Sequence, residues 1–150
     1  MKNNYEKDLE YYHKIMRVKV FVIILVLFVF LILLMVFYYS PQKAEVNLIE
    51  AVVFEKLVKN QETFVLNVHT PYDGEIEGTD VIIEDWQNIN KYKKDLPADK
   101  NTPIAIYCKS GRMSASAAQQ LTALGYKNIY DLKGGMIAWK ESGKEIIENK

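Results

Sequence analysis

A small parallel α/β domain behind one membrane-length helix is the architecture this 150-residue sequence predicts, and three observations predict it. Residues 20–39 form an uninterrupted uncharged run, VFVIILVLFVFLILLMVFYY. After Ser40, short apolar runs alternate with segments of helical spacing, the order a parallel sheet requires because its neighbouring strands need crossover connections. The single cysteine, Cys108, stands where an apolar run ends and a helical one begins.

In chain order, the N-terminal segment 1–19 carries Tyr5, Leu9, Tyr12 and Met16 at helical spacing, which predicts a cytoplasmic extension of the membrane helix. The run 20–39 rises ~1.5 Å per residue and so spans ~30 Å, the hydrocarbon thickness of a bilayer. Tyr11 and Tyr12 on one side and Tyr38 and Tyr39 on the other fit aromatic belts. The run exceeds the ~7–15 apolar residues of a cleaved signal peptide, and Tyr38-Tyr39-Ser40-Pro41 lacks a small-x-small cleavage pattern, so an uncleaved single-pass anchor is expected. Lys2, Lys7, Lys14, Arg17 and Lys19 precede or border the span, against Lys43, Lys56 and Lys59 soon after it. That bias places the N-terminus in the cytoplasm and the domain outside the cell membrane.

A flexible link is expected over 40–45 and a domain over 46–150. Within it, helix-forming residues cover 52–59 and a strand covers 64–68. A polar loop over 70–80 leads to a second strand over 81–83, and a helix covers 86–94. The strand 104–107 follows Pro103, and a helix runs from Ser114, with Ala117, Leu121 and Leu124 on one face and Gly125 as its stop. A strand over 129–132 and a last helix over 136–141, after the Gly134-Gly135 turn, complete the reading. Trp139 is expected to pack that helix onto the sheet.

Cys108 therefore sits at the carboxyl end of a strand, where open α/β sheets place their chemistry. A tight loop there aims backbone N–H groups at the sulfur, while the helix start, Lys109 and Arg112 add positive potential. These features favour the thiolate, which is the nucleophile.

Composition narrows the field. Lysine plus arginine number 19 and aspartate plus glutamate number 19, and the N-terminal segment holds five basic and three acidic residues of these, so the domain is nearly neutral and carries no nucleic-acid signature. One cysteine excludes an intramolecular disulfide and leaves Cys108 without a resolving partner in the chain. His13 and His69 lie far apart, so no zinc ligand set is expected, and no cofactor is implied. Asp73, Glu75, Glu77 and Asp80 lack calcium-loop spacing and read as a solvated turn.

The loop CKSGRMS, the helix SAAQQLTALGY, the segment LKGGMIAW with Gly134, Gly135 and Trp139, and the stretch VLNVHTPYDGEIEGT with Gly74, Ile76 and Gly78 together resemble the rhodanese-like domains, or thiosulfate sulfurtransferases, over residues 46–147. The resemblance implies a small doubly wound α/β fold whose loop cysteine takes a sulfane sulfur from a donor and passes it to a nucleophilic acceptor. Cys108 is then the catalytic residue. Lys109, Ser110, Gly111, Arg112 and Met113 form the substrate-binding loop. The implied partners are a small sulfur-donor anion such as thiosulfate and an acceptor, either cyanide or a thiol on a small molecule or protein.

Two departures stand out. Asn67-Val68-His69 replaces the family's usual Asp-Val-Arg, which exchanges two fixed charges for an amide and an imidazole and makes Asn67 and His69 candidate pocket residues. Met113 stands where many relatives carry a basic residue before the loop-closing serine, with the arginine one place earlier at Arg112. A cysteine phosphatase needs arginine at the sixth position after cysteine, and here that position is Ser114. Two readings remain: a membrane-anchored sulfurtransferase, and a non-catalytic module of the same family that binds an anion or a protein at the membrane.

Overall fold

A computed structural model describes residues 3–39 and 45–148, in two units, Met1–Pro41 and Gln42–Lys150, each taken here by itself. The first is one helix, α1, Asn4–Tyr38. It opens with the Asn3 N–H donating to Glu6 Oε2 at 3.3 Å and ends with the Tyr39 N–H on the Met35 carbonyl at 2.8 Å. No residue of α1 is buried, and its leucines, valines and phenylalanines are exposed around the whole circumference. By length and composition it is apolar enough to cross a membrane, a test that a signal sequence also passes. The segment expected to precede the span is helical from Asn4, and the expected link falls largely on residues 40–44, outside the described residues.

The second unit is a five-stranded, wholly parallel sheet in the order β1-β5-β4-β2-β3. The strands are β1 (Glu45–Ile49), β2 (Phe64–Asn67), β3 (Val81–Ile82), β4 (Ile104–Tyr107) and β5 (Asn128–Leu132). The helices are α2 (Ala51–Val58), α3 (Arg112–Ala123) and α4 (Gly135–Glu141), with a 3-10 helix over Trp86–Tyr92. The central strand β4 reads Ile-Ala-Ile-Tyr and is buried on both faces. Ile104 and Ile106 enter one core with Ile89 of the 3-10 helix and Ala117, Ala118 and Leu121 of α3. Ala105 and Tyr107 enter the other, with Phe54 of α2 and Met136 and Trp139 of α4. Helices thus cover both faces, the doubly wound arrangement. Trp139 joins the second core edge-on to Phe54, with ring centroids 6.2 Å apart.

Several boundaries depart from expectation. Strand β1 was not anticipated. It begins at Glu45, inside the expected link, and lies on the sheet edge with a half-exposed Glu-Val-Asn-Leu-Ile pattern that gives little periodic signal. It is held from a distance, by register with Asn128–Leu132 and by Asn47 Nδ2 donating to the Ile129 carbonyl at 3.2 Å. Strands β2 and β3 each stop one residue short of the expected ends. The segment expected as a helix over 86–94 is a 3-10 helix broken at Asn88, whose φ of −132° and ψ of 47° are non-helical. Helix α3 starts at Arg112 rather than Ser114.

Candidate active site

Parallel strands end together, so β2 and β4 deliver their carboxyl ends to one rim of the sheet. Asn67 pairs with Tyr107, and the Val68 N–H donates to the Tyr107 carbonyl at 3.0 Å. Cys108 is the next residue along. The chain then turns back on Gly111, whose φ of +90° is left-handed and whose carbonyl accepts the Ala115 N–H at 3.1 Å. That turn brings the Gly111 N–H to 3.2 Å from Cys108 Sγ. The sulfur thus rests on a backbone donor at the start of α3, an arrangement that stabilises negative charge on it.

The loop is clamped from behind. The Met136 N–H donates to the Cys108 carbonyl at 2.9 Å and the Ile137 N–H to the Lys109 carbonyl at 3.1 Å, so the first turn of α4 holds the outward face of the loop backbone. This approach is possible only for glycine at 135. Its φ is +59°, and a Cβ there would lie 2.2 Å from the Cys108 carbonyl oxygen. The Gly-Gly turn therefore exists to let α4 reach the cysteine loop.

Cys108 is 1% exposed and belongs to the core cluster on the α3 face. Lys109, Ser110 and Arg112 are exposed, while Met113 packs against that same core. The Lys109 ammonium is 2.5 Å from Asp73 Oδ2, which holds the Asp73 carboxyl below the usual carboxylate range, so part of its charge is answered before any anion arrives. The acidic turn is accordingly more than a solvated one: Asp80 Oδ2 also accepts the Val65 N–H at 2.7 Å. Beside the loop a small cleft is lined by Asp73, Lys109, Met136, Ile137 and Lys140.

Asn67 and His69 lie at the same rim, both buried. Asn67 Nδ2 donates to the Gly74 carbonyl at 3.1 Å and its Oδ1 accepts the His69 N–H at 2.9 Å, so the amide ties the loop after β2 to the strand. Burial, and then the nearby Lys109 charge, push the His69 imidazole below its ordinary value, against the opposing pull of Asp73 and Glu84. Its Nδ1 is buried without a partner. His69 is neutral at pH 7 and does not restore the fixed charge of an arginine.

Two features here escaped the sequence reading. Tyr107 passes beneath the rim, and its hydroxyl accepts the Ile76 N–H at 2.9 Å and lies 2.6 Å from Thr79 Oγ1. Asp131 of β5 is 1% exposed and has an unpartnered Oδ1; burial pushes its carboxyl up to about 6 against the opposing influence of the Ser114 hydroxyl. A charged residue inside the apolar run Ile129–Leu132 was the available signal. Among the described residues no cluster of histidine, cysteine, aspartate and glutamate is arranged to hold a metal ion.

The profile of the family described as "Rhodanese-like domain" matches residues 54–142. A tRNA uridine(34) hydroxylase of Prochlorococcus marinus is 30% identical over 110 residues, 67% of this chain and 35% of its own length. The thiosulfate sulfurtransferase GlpE of Coxiella burnetii is 46% identical over 53 residues, 35% of this chain and 50% of its own. The match to this chain thus spans about a third of the first relative and half of the second. Among solved structures, a rhodanese-related protein of Thermoplasma volcanium superposes with a TM-score of 0.56 at 26% identity, over 67% of this chain and 97% of that one. A rhodanese-like domain protein of Staphylococcus aureus gives 0.54 at 25% identity, over 68% and 99%.

Proposed function

The chain belongs to the rhodanese-like domain family, and from that membership we propose that it is a sulfurtransferase carrying sulfane sulfur on Cys108, anchored in the cell membrane by α1. One observation carries the reading: the cysteine follows β4 on a turn whose Gly111 N–H points at its sulfur, placed to hold the thiolate that attacks in the first half-reaction and is released in the second.

In the first half-reaction the Cys108 thiolate attacks the outer sulfur of thiosulfate. The sulfur–sulfur bond of the donor breaks, sulfite leaves with the bonding pair, and Cys108 becomes a persulfide. In the second, cyanide or a thiolate attacks the outer sulfur of that persulfide. The Cys108 sulfur leaves as thiolate, and the product is thiocyanate or an acceptor persulfide. The Gly111 amide addresses Cys108 Sγ, so it holds the thiolate before the first attack and receives the negative charge again when that thiolate departs in the second. Exposed Arg112 makes no ion pair among the described residues and is placed to draw in an anionic donor, whereas Lys109 is engaged by Asp73. Because Cys108 is 1% exposed, the donor must present a narrow terminal sulfur.

The anchor reading is supported by the unbroken apolar surface of α1, and the inward N-terminus by the five basic residues at or before Lys19. The deciding experiment is mass spectrometry of the purified protein after exposure to thiosulfate or polysulfide, with one added sulfur expected on Cys108. A folded, reduced protein that neither gains the sulfur nor passes it to cyanide or a thiol would leave the non-catalytic binding module as the function.

A further inference from the structure

The mechanism above uses the Gly111 peptide and leaves a buried carboxyl behind it unexplained. Asp131 points to the α3 face of the sheet, where β5 pairs it with Leu48 of β1 and Ile106 of β4, the latter two residues before Cys108. It is 1% exposed and its Oδ1 has no partner. The side chain that acts on its carboxyl is Ser114, itself fully buried, whose hydroxyl donates to the Gly111 carbonyl at 3.1 Å. Gly111 in turn supplies the N–H on Cys108 Sγ. Hydrogen bonds therefore run from the Ser114 hydroxyl to the Gly111 peptide and from that peptide to the sulfur, with the Asp131 carboxyl buried on the same face beside Ser114.

We infer that Asp131 is a positioning residue for the sulfur-carrying loop, acting through the Ser114 hydroxyl on the Gly111 peptide. The reasoning turns on the single proton of Ser114, which can go to the Gly111 carbonyl or to Asp131 but not to both. When Asp131 is protonated, its O–H donates to Ser114 Oγ and Ser114 donates to the Gly111 carbonyl, so the turn is held. When Asp131 is ionised, the Ser114 proton swings to the carboxylate, and the Gly111 carbonyl keeps the Ala115 N–H but loses its side-chain donor. The turn then holds the Gly111 N–H less firmly against the anionic sulfur.

Burial pushes the Asp131 carboxyl up to about 6, against the opposing hydrogen bonds from Ser114 and the Leu132 backbone. Glu45 opens β1 and Glu50 follows it, Lys109 comes after β4, Arg112 opens α3, and Lys133 follows β5 with its ammonium on Glu50. The opposite-face helices carry Glu55, Lys56, Lys140 and Glu141. The exchange thus falls between mildly acidic and neutral pH.

The inference rests on the sulfurtransferase reading only for its activity readout, so the test uses two measurements on the full chain in detergent: iodoacetamide alkylation of Cys108 and sulfur transfer. The ratio of the Asp131→Asn rate to the wild-type rate should be near one at about pH 5 and rise to about fivefold at about pH 7.5, with a midpoint near the carboxyl's own. Ser114→Ala should remove the wild-type inflection near pH 6 although Asp131 remains. His69→Gln should keep it, because the inflection belongs to the Asp131 carboxyl and not to the buried imidazole at the same rim. A ratio that stays flat with pH overturns the inference, as does an inflection that survives Ser114→Ala. Should Asp131→Asn fail to fold, the Ser114→Ala profile decides alone. Absence of sulfur transfer at every pH, with the alkylation pattern intact, would overturn the proposed activity and leave the coupling standing.

Discussion

At the scale of single residues, Gly135 and Cys108 depend on each other. Any side chain at 135 meets the Cys108 carbonyl and must also adopt a left-handed backbone, so Gly135→Ala should cost about 2–4 kcal/mol in denaturant unfolding and displace the cysteine loop. Cys108→Ser is nearly isosteric and should leave the unfolding midpoint in place while abolishing sulfur transfer. Arg112→Ala should raise the KM for thiosulfate more than it lowers kcat, because it takes charge from the approach and leaves the nucleophile untouched. The burial of Cys108 makes a further expectation: the folded protein should slow a bulky aromatic disulfide reagent, relative to the unfolded chain, far more than it slows iodoacetamide.

At the scale of elements, the irregular segment between β2 and β3 is held by side chains rather than by ladders. Asn67 holds the Gly74 carbonyl, Tyr107 holds the Ile76 N–H, Asp80 holds the Val65 N–H, and Glu75 bridges to Ile147. Tyr107→Phe leaves a buried N–H without a partner and should destabilise the domain by about 1–3 kcal/mol, read from the shift in denaturant midpoint. Burial pushes the Tyr107 hydroxyl up to about 12, so this contact should be indifferent to pH through the neutral range. Asp131 in β5 works in the opposite sense. Its native-state carboxyl is raised above the ordinary aspartate value, so the folded chain binds more protons than the unfolded one between about pH 4 and pH 6, and stability falls as pH rises through that window. Asp131→Asn should accordingly raise Tm at neutral pH and lose that advantage below about pH 4.

For the whole molecule, the division into two units sets the expectations. A chain beginning at Gln42 should be soluble and unfold cooperatively, since every strand and both cores lie beyond that point. Aggregation or loss of cooperative unfolding in that shortened chain would make α1 part of the fold. The full chain should resist alkaline extraction from membranes, and a membrane-impermeant protease should remove the domain from the outside of intact cells. Protection of the domain until lysis would reverse the orientation.

What the sequence determined by itself was whatever local order encodes. The twenty-residue apolar run of α1 stands out unaided, and the fully buried β4 between Pro103 and Cys108, the helix after Gly111 and the Gly-Gly turn each announce themselves within a dozen residues; the cysteine loop, that helix, the Gly-Gly segment and the stretch through Gly78 carried the resemblance to the family. Tertiary structure decided what depends on distant partners. Edge strand β1 exists because β5 offers it a register, a fact its half-exposed residues cannot show. The pairing of Lys109 with Asp73, the neutral state of buried His69 and the burial of Asp131 beside Ser114 all arise where chain segments far apart in sequence meet at one end of the sheet. Charge and protonation there are set by burial and neighbours, which spacing along the chain does not specify.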